Sequence, residues 1–178
     1  MGEIRAWLRD STRDDHARVD DAFASFRLSD RSSYADFLAA HGRALLPLER
    51  WIGAGALLPG WRGRSEAVVE DLHALAEPVP EAPALEWPRD EAARLGALYV
   101  LEGSRMGAAV LARDVSDDLP NGYLTSRAAP GQWQALLTLL ESKGSEGGTP
   151  WRQRALEGAS RAFALFHAAA QEVQAAYR

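Results

Sequence analysis

Apolar residues recur every three or four positions along the chain, in segments separated by clusters of turn-forming residues. The first segment predicts a helix over about 3–26. Its apolar face consists of Ile4, Leu8, Val19, Phe23 and Phe26. No stretch alternates apolar and polar residues at the period of two that a half-buried strand requires. The pattern therefore predicts an all-α fold.

Two further helices flank a glycine-rich loop. Ser33 and Asp36 resemble a capping box, with Asp in place of the usual Glu or Gln, and start a helix that continues to Ile52. Pro47 inside this helix predicts a kink. A third helix is predicted over about 65–75, after the glycines have ended.

The rest of the chain predicts one extended connector and three helices. Four prolines between residues 77 and 88 exclude a helix there, because proline lacks an amide donor and restricts the residue before it. A long helix is predicted over about 90–115. The last two helices cover about 130–143 and 150–177, and a Thr-Pro pair supplies the N-cap and first turn of the second.

Composition narrows the class of protein. A chain of 178 residues predicts one domain over 1–178, and 47% hydrophobic with 25% charged residues is typical of a globular protein with a core. A net charge of -5 and the absence of any dense Lys/Arg run exclude nucleic acid as a partner. The lack of cysteine excludes disulfides, thiolate metal sites and covalently attached haem. With no signal segment and no apolar run long enough to span a membrane, we expect a cytoplasmic protein that does not use a membrane.

The first candidate site lies on the first predicted helix. Arg9, Thr12 and His16 are three and four residues apart, so they fall on one stripe, which Val19 and Phe23 continue. His16 could serve as a metal ligand there. The alternative is a half-exposed surface histidine among neighbouring aspartates.

The second candidate site is a glycine face on the long helix. Gly96, Gly103 and Gly107 are spaced by seven and four residues, and each interior glycine costs about 0.5–1 kcal/mol relative to alanine. Because alanine is abundant nearby, the glycines indicate that something flat approaches the backbone or that the helix bends. The alternative is close packing between helices.

Together the two features predict a slot for a planar macrocycle. Haem iron takes an imidazole on one side and needs room for a small ligand on the other. Arg9 lies seven residues from His16, about 10.5 Å along a helix axis, which suits a propionate at the haem edge.

Other residues that could bind a metal or a propionate give weaker evidence of a site. Glu70 and His73 form a single Glu-x-x-His unit, whereas a di-iron bundle needs two. His41 and His167 are expected to be surface or packing residues. Four arginines could supply a second cation to a propionate, although solvated surface positions are favoured for them. They are Arg105, Arg113, Arg154 and Arg161.

Two sequence motifs, each of nine or ten residues, resemble those of a known protein family. They are Leu8-Arg9-Asp10-Ser11-Thr12-Arg13-Asp14-Asp15-His16 and Leu98-Tyr99-Val100-Leu101-Glu102-Gly103-Ser104-Arg105-Met106-Gly107. In these two motifs and in the order of its helices, the chain resembles the bacterial haem oxygenases over nearly its whole length. It is most similar to the biliverdin-producing branch often encoded beside bacteriophytochromes. The resemblance implies a single-domain multi-helix haem oxygenase-like bundle.

The resemblance also implies roles for individual residues. His16 would be the proximal haem ligand, Thr12 would lie one turn before it, and Arg9 would face a propionate. The segment from Gly103 to Gly107, which includes Ser104, would be the kinked distal helix whose backbone lies against the haem and shapes where oxygen attacks.

The implied activity is cleavage of haem, with oxygen and electrons from an external reductase or ferredoxin, to biliverdin, ferrous iron and carbon monoxide. Haem would be both substrate and cofactor, and a bacteriophytochrome is an implied acceptor of biliverdin. Ser104 stands where some family members have a water-ordering aspartate, and Ala108 replaces a frequent glycine. These two departures leave open a non-catalytic haem-binding or haem-sensing protein, and an all-α interaction domain without haem is a further alternative.

Overall fold

The regular structure of the chain is helical throughout the part that the computed structural model describes, residues 2–176. The helices are α1 (Glu3–Ser11), α2 (Arg13–Phe23), α3 (Arg31–Ile52), α4 (Ser65–Ala74), α5 (Glu91–Leu111), α6 (Gly122–Thr125) and α7 (Gln132–Ala176). Short 3-10 turns at Ala54–Ala56 and Ala112–Asp114 follow α3 and α5. The predicted all-α class is confirmed, and no helix within residues 2–176 is long and apolar enough to cross a membrane.

Helix α7 is the central helix of the fold, and α1, α2, α3 and α5 all pack against it. Gly148, with φ 57° and ψ −155°, lies outside helical geometry and divides α7 into two arms. The break falls between the two helices that the sequence predicted, just before Pro150. The predicted end of the last helix, at Tyr177, lies outside the described residues.

The first predicted helix is in fact two helices that meet at Thr12. The backbone there has φ −104° and ψ 8°, and the buried Thr12 hydroxyl donates to the Leu8 carbonyl at 2.8 Å. Threonine hydroxyls that bond back to the carbonyl four residues earlier compete with the helix ladder and bend it. The prediction of one helix was wrong because periodicity does not register this local bond.

The N-cap of helix α3 lies three residues earlier than the predicted cap, Ser33. Asp30 is its N-cap and accepts from the Ser33 amide at 2.9 Å, while the Ser33 hydroxyl accepts from the Arg27 amide at 2.7 Å. The polar residue chosen as the cap therefore occupies the third helical position. Pro47 is buried inside α3, which continues to Ile52. The start of α5 agrees with prediction, since Asp90 accepts from the Ala93 amide at 3.0 Å.

Helices α5 and α7 cross at backbone contact distance. A Cβ on Gly96 would lie 1.8 Å from the Ala155 carbonyl oxygen, and one on Gly158 would lie 1.9 Å from that of Ala93. Each glycine thus makes room for the other helix's backbone. For Gly96 the alternative of close packing between helices is correct. The interpretation that Gly96 shares a ligand-facing surface with Gly103 and Gly107 was wrong.

Helix α4 ends in a Schellman motif that has alanine at the position usually held by glycine. Ala76 has φ 58°, its amide donates to the His73 carbonyl at 2.9 Å, and the Glu77 amide donates to the Leu72 carbonyl at 2.9 Å. A side chain in this left-handed region costs about 1–2 kcal/mol. The motif therefore stores strain that the hydrogen bonds hold in place.

Ala76→Gly should raise the free energy of unfolding by about 0.5–1 kcal/mol, because relief of the left-handed strain exceeds the added unfolded-state entropy. Urea denaturation measures it. The same substitution at Ala168, exposed within α7, should lower stability by about 0.5–1 kcal/mol. Equal shifts for both variants would contradict the prediction.

Candidate haem-binding cavity

A cavity of about 660 Å³ lies between α1 and α2 on one side and the second half of α5 on the other. Residues of α7, including Phe163 and Phe166, also line it. The structure brings all six sequence-predicted site residues to this cavity: Arg9, Thr12, His16, Gly103, Ser104 and Gly107. A volume in the range of about 300–1,000 Å³ suits a ligand of drug or cofactor size.

The α2 wall presents a single oriented imidazole. The Nδ1 atom of His16 lies 2.9 Å from Oδ2 of Asp20, one turn later on the same helix. The ring also meets Phe163 edge to face, with centroids 5.7 Å apart. A neutral tautomer that donates Nδ1–H to Asp20 leaves the Nε2 lone pair available, which is the arrangement typical of metal-binding histidines.

The α5 wall presents bare backbone and unpacked apolar side chains. A Cβ on Gly107 would meet nothing within 4 Å beyond its own helical surroundings, and one on Gly103 would meet only the Trp133 ring, at 4.0 Å. Met106 and Val110, which also line the cavity, are each 59% exposed. Helix α5 passes through both glycines without a break. This face can accept a flat apolar ligand.

A buried cation closes the inner part of the α5 wall. Arg64 is 2% exposed and donates through Nη2 to the Leu101 carbonyl at 3.1 Å and to the Ser104 hydroxyl at 2.6 Å. Its guanidinium lies 5.1 Å from the centroid of the Tyr123 ring. The Ser104 hydroxyl donates in turn to the Leu101 carbonyl at 2.8 Å. Ser104 is thus the cavity-facing end of a hydrogen-bonded pair.

His41 lines the cavity from α3. Its Nδ1 lies 3.0 Å from the Phe37 carbonyl oxygen, and its ring is surrounded by aromatic rings of Phe23, Phe37, Tyr123 and Phe166. Burial among these rings lowers the pKa of His41 to about 3, and the Arg64 charge adds to the effect while the bond to Phe37 opposes it. His41 as a whole is half-buried, and it is one of the residues that line the cavity. His41 is therefore a packing residue, as expected, and also a cavity residue, which was not expected.

Cations and aromatic rings surround the mouth of the cavity. Arg9 and Arg13 share the carboxylate of Asp10, at 2.9 and 3.1 Å, and Arg5 lies 5.8 Å from the Trp133 ring centroid. Three of these side chains, Arg5, Arg9 and Arg13, line the cavity together with Trp133 and Tyr99. Burial raises the pKa of Tyr99, so its hydroxyl remains a donor at neutral pH.

The four arginines considered from the sequence as a second propionate cation, Arg105, Arg113, Arg154 and Arg161, are not among the residues that line the cavity. Arg154 pairs with Asp90 at 3.2 Å, and Arg161 lies 5.9 Å from the Trp87 ring. Arg105 is buried in an ion pair with Glu102 at 2.9 Å. None of these side chains lines the cavity.

Comparison with known proteins decides the family. A haem oxygenase of Xanthomonas campestris pv. campestris is 33% identical over 152 residues, which cover 78% of this chain and 88% of the relative. Haem oxygenase PigA of Pseudomonas aeruginosa is 31% identical over 170 residues, which cover 87% of this chain and 85% of the relative. The chain belongs to the haem oxygenase family. No protein-family model matches it.

The fold of this haem oxygenase also agrees with a solved relative. The NO- and CO-bound haem oxygenase of Neisseria meningitidis superposes with a TM-score of 0.76 over 96% of this chain and 91% of that chain, at 23% identity. The predicted family and the predicted haem oxygenase-like bundle are confirmed.

Sequence reasoning missed Arg64 and His41, for different reasons. Arg64 belongs to a glycine-rich loop, where no periodicity indicates which way a side chain points. His41 lies on the apolar face of α3, where a packing role is the usual one. Arg5 lies one turn before Arg9 on α1, so the arginine stripe was visible in the sequence and could have been extended to it.

The two kinds of glycine on α5 predict opposite effects of adding a methyl group. Gly96→Ala should destabilise the haem-free protein by about 1–3 kcal/mol, since its Cβ would overlap the Ala155 backbone. Gly107→Ala should stabilise it by about 0.5–1 kcal/mol, because the methyl group enters open space and alanine favours the helix. Urea denaturation of both haem-free variants tests this, and shifts of the same sign would count against it.

Protonation of His41 should make the protein less stable in mild acid. The unfolded chain takes up this proton near pH 6.5 but the folded protein only near pH 3, so the free energy of unfolding falls as pH drops between these values. His41→Asn should remove about 2 kcal/mol of the loss seen between pH 6.5 and 4.5. The control is His73→Asn on the exposed face of α4. An unchanged pH slope in His41→Asn would refute the assignment.

Proposed function

We propose that this haem oxygenase binds haem in the cavity, with His16 as the iron ligand, and cleaves it with oxygen to biliverdin, ferrous iron and carbon monoxide. The observation that carries the proposal is the pairing of one oriented imidazole on α2 with the uncovered backbone of Gly103 and Gly107 on α5. Family membership supports the enzymatic activity, and no observation favours the non-catalytic alternative.

Asp20 is proposed to orient His16. Its carboxylate accepts from Nδ1, which fixes the tautomer that exposes the Nε2 lone pair and makes the imidazole a stronger ligand. Thr12 lies one turn before His16, and its hydroxyl holds the bend between α1 and α2. These two contacts together set the direction in which α2 presents the ligand.

The α5 wall is proposed to shape the oxygen side of the site. Gly103 and Gly107 let the helix backbone lie close to the substrate, while Ser104 offers a hydroxyl that Arg64 holds in place. The Arg64–Ser104 pair can order water, so the serine found in place of an aspartate is compatible with turnover. Ala108 is buried and also lines the cavity, so its methyl group takes up a small part of the cavity volume.

The arginines at the cavity mouth are proposed to bind the haem propionates. Arg5, Arg9 and Arg13 supply positive charge, and Tyr99 supplies a hydroxyl donor at the same end. Propionates held there would keep the apolar macrocycle edge toward Met106 and Val110. The mouth thus determines which way the haem enters the slot.

Bound haem would supply the oxygen-activating iron, and the protein residues would supply binding, orientation and the exclusion of bulk water. We propose further that the electrons come from an external reductase or ferredoxin and that a bacteriophytochrome accepts the biliverdin. A single domain over 1–178 and a cytoplasmic location remain predictions from the sequence.

His16→Ala should abolish the histidine-ligated Soret band and biliverdin formation, because α2 has no other histidine and the His41 ring is enclosed by aromatic side chains of α2, α3, α6 and α7. Added imidazole should restore part of the band by entering the vacated space. Asp20→Asn should lower haem affinity or turnover by about 10- to 100-fold. Absorbance titration and aerobic single turnover with product chromatography provide the readouts.

The matched control is His73→Ala, an exposed histidine on α4 away from the cavity. It should bind and cleave haem like the parent protein. An unchanged spectrum and product yield in His16→Ala would reject His16 as the ligand. Haem binding by the parent without biliverdin would instead favour the non-catalytic alternative.

A further inference from the structure

A buried ion pair lies behind the glycine-bearing turn of α5, on the side away from the cavity. Nε of Arg105 donates to Oε1 of Glu102 at 2.9 Å, and the two side chains are 8% and 1% exposed. Neither residue lines the cavity. A buried ion pair adds little net stability compared with apolar packing, so its presence here calls for a positional reason.

The ion pair fastens this turn of α5 to loop 57–64, which connects the 3-10 turn after α3 to α4. The Trp61 indole donates to Oε1 of Glu102 at 2.8 Å, and Nη2 of Arg105 donates to the Arg62 carbonyl at 2.5 Å. The indole and the guanidinium share one carboxylate oxygen. Glu102 therefore joins helix and loop at one point.

The same loop also contacts α5 on the cavity side. Arg64, at the end of the loop, donates to the Leu101 carbonyl and the Ser104 hydroxyl. Glu49 of α3 holds the loop end by accepting from the Arg64 amide at 2.7 Å and the Ser65 amide at 3.0 Å. Loop 57–64 thus holds the turn 101–105 from both sides.

Apart from the buried side chains of Leu101 and Ala108 and a longer contact of Arg105 with Ser126, at 3.4 Å, this part of α5 has little to hold it on the cavity side. The positions facing the cavity, Gly103 and Gly107, have no side chains, and Met106 is 59% exposed. The backbone contact with α7 at Gly96 lies almost two turns earlier in the helix. The contacts made from behind, by loop 57–64, therefore contribute to the position of the glycine turn over the cavity.

We propose that Glu102, Trp61 and Arg105 are positioning residues that set how closely the Gly103–Gly107 backbone approaches the haem, and thereby which meso carbon is cleaved. The inference rests on the proposed function, since it assumes that haem occupies the cavity. None of the three residues touches the substrate. They act by fixing the helix that does.

Two variants separate positioning from stability. Glu102→Gln keeps the side-chain size and an acceptor for Trp61 but loses the charge that pairs with Arg105. Glu102→Leu combined with Arg105→Met replaces the pair by apolar side chains, a change that usually preserves folding. The control is Glu91→Gln, at the start of the same helix, whose exposed carboxylate pairs with Lys143 at 3.2 Å.

Amide hydrogen exchange over 101–107 in the haem-free protein, haem affinity and the biliverdin isomer distribution are the readouts. In both Glu102 variants we expect faster exchange over 101–107, haem affinity close to that of the parent and more than one isomer. A misplacement of about 1 Å can lower turnover by about 100-fold, so kcat should fall while KM changes little. Glu91→Gln should match the parent in every readout.

Parent-like exchange and a parent-like isomer distribution in both variants would overturn the positioning role while leaving the proposed function intact. Failure of the parent to form biliverdin would overturn the proposed function, and the assignment of regiochemistry with it. If Glu102→Gln does not fold, the double variant decides between the same two outcomes.

Discussion

The backbone contact between α5 and α7 is the constraint on which the cavity depends. Gly96 and Gly158 allow each helix to lie against a carbonyl of the other, a spacing that a single methyl group would forbid. Helix α7 also carries Phe163, which meets His16, and Ser160, whose hydroxyl donates to Asp15 of α2 at 2.7 Å. Both walls of the cavity thus pack against α7, which fixes the two helices that carry them relative to one another.

The same residue type serves two purposes on α5, and this limits what the sequence could predict. The spacing of Gly96, Gly103 and Gly107 is the same whether a helix or a ligand approaches, so only the structure separates the packed glycine from the two open ones. Features that extend over many residues could be predicted from the sequence. They are most of the helices, the proline-rich connector and the break before Pro150. Features set by one hydrogen bond were not, as the bend at Thr12 and the cap at Asp30 show.

Polar residues of the candidate site follow a similar division. His16 and Arg9 were found because helical spacing places them on one stripe, and the structure places both at the cavity. Arg64 reaches the cavity from a loop, and its position depends on Glu49, fifteen residues away in sequence, which accepts from its amide. No local pattern encodes a contact of this kind. Functional side chains on loops are therefore the ones that are hardest to predict from the sequence, because contacts with a distant part of the scaffold fix their position.

Helix α2 shows why the ligand belongs to the stability of the fold as well as to its function. No residue of α2 is buried, although its side chains do contact other helices: Asp15 meets Ser160, His16 meets Phe163, and the Phe23 ring meets Phe37 and His41 of α3. The apolar side chains of Val19 and Phe23 pack against the core on one side and also line the cavity. A ligand that fills the cavity would complete their packing, and binding to the folded state alone adds stability that grows with the logarithm of ligand concentration. The element that presents the proposed iron ligand therefore gains packing when the cavity is filled, which couples the stability of the proximal wall to the presence of the substrate.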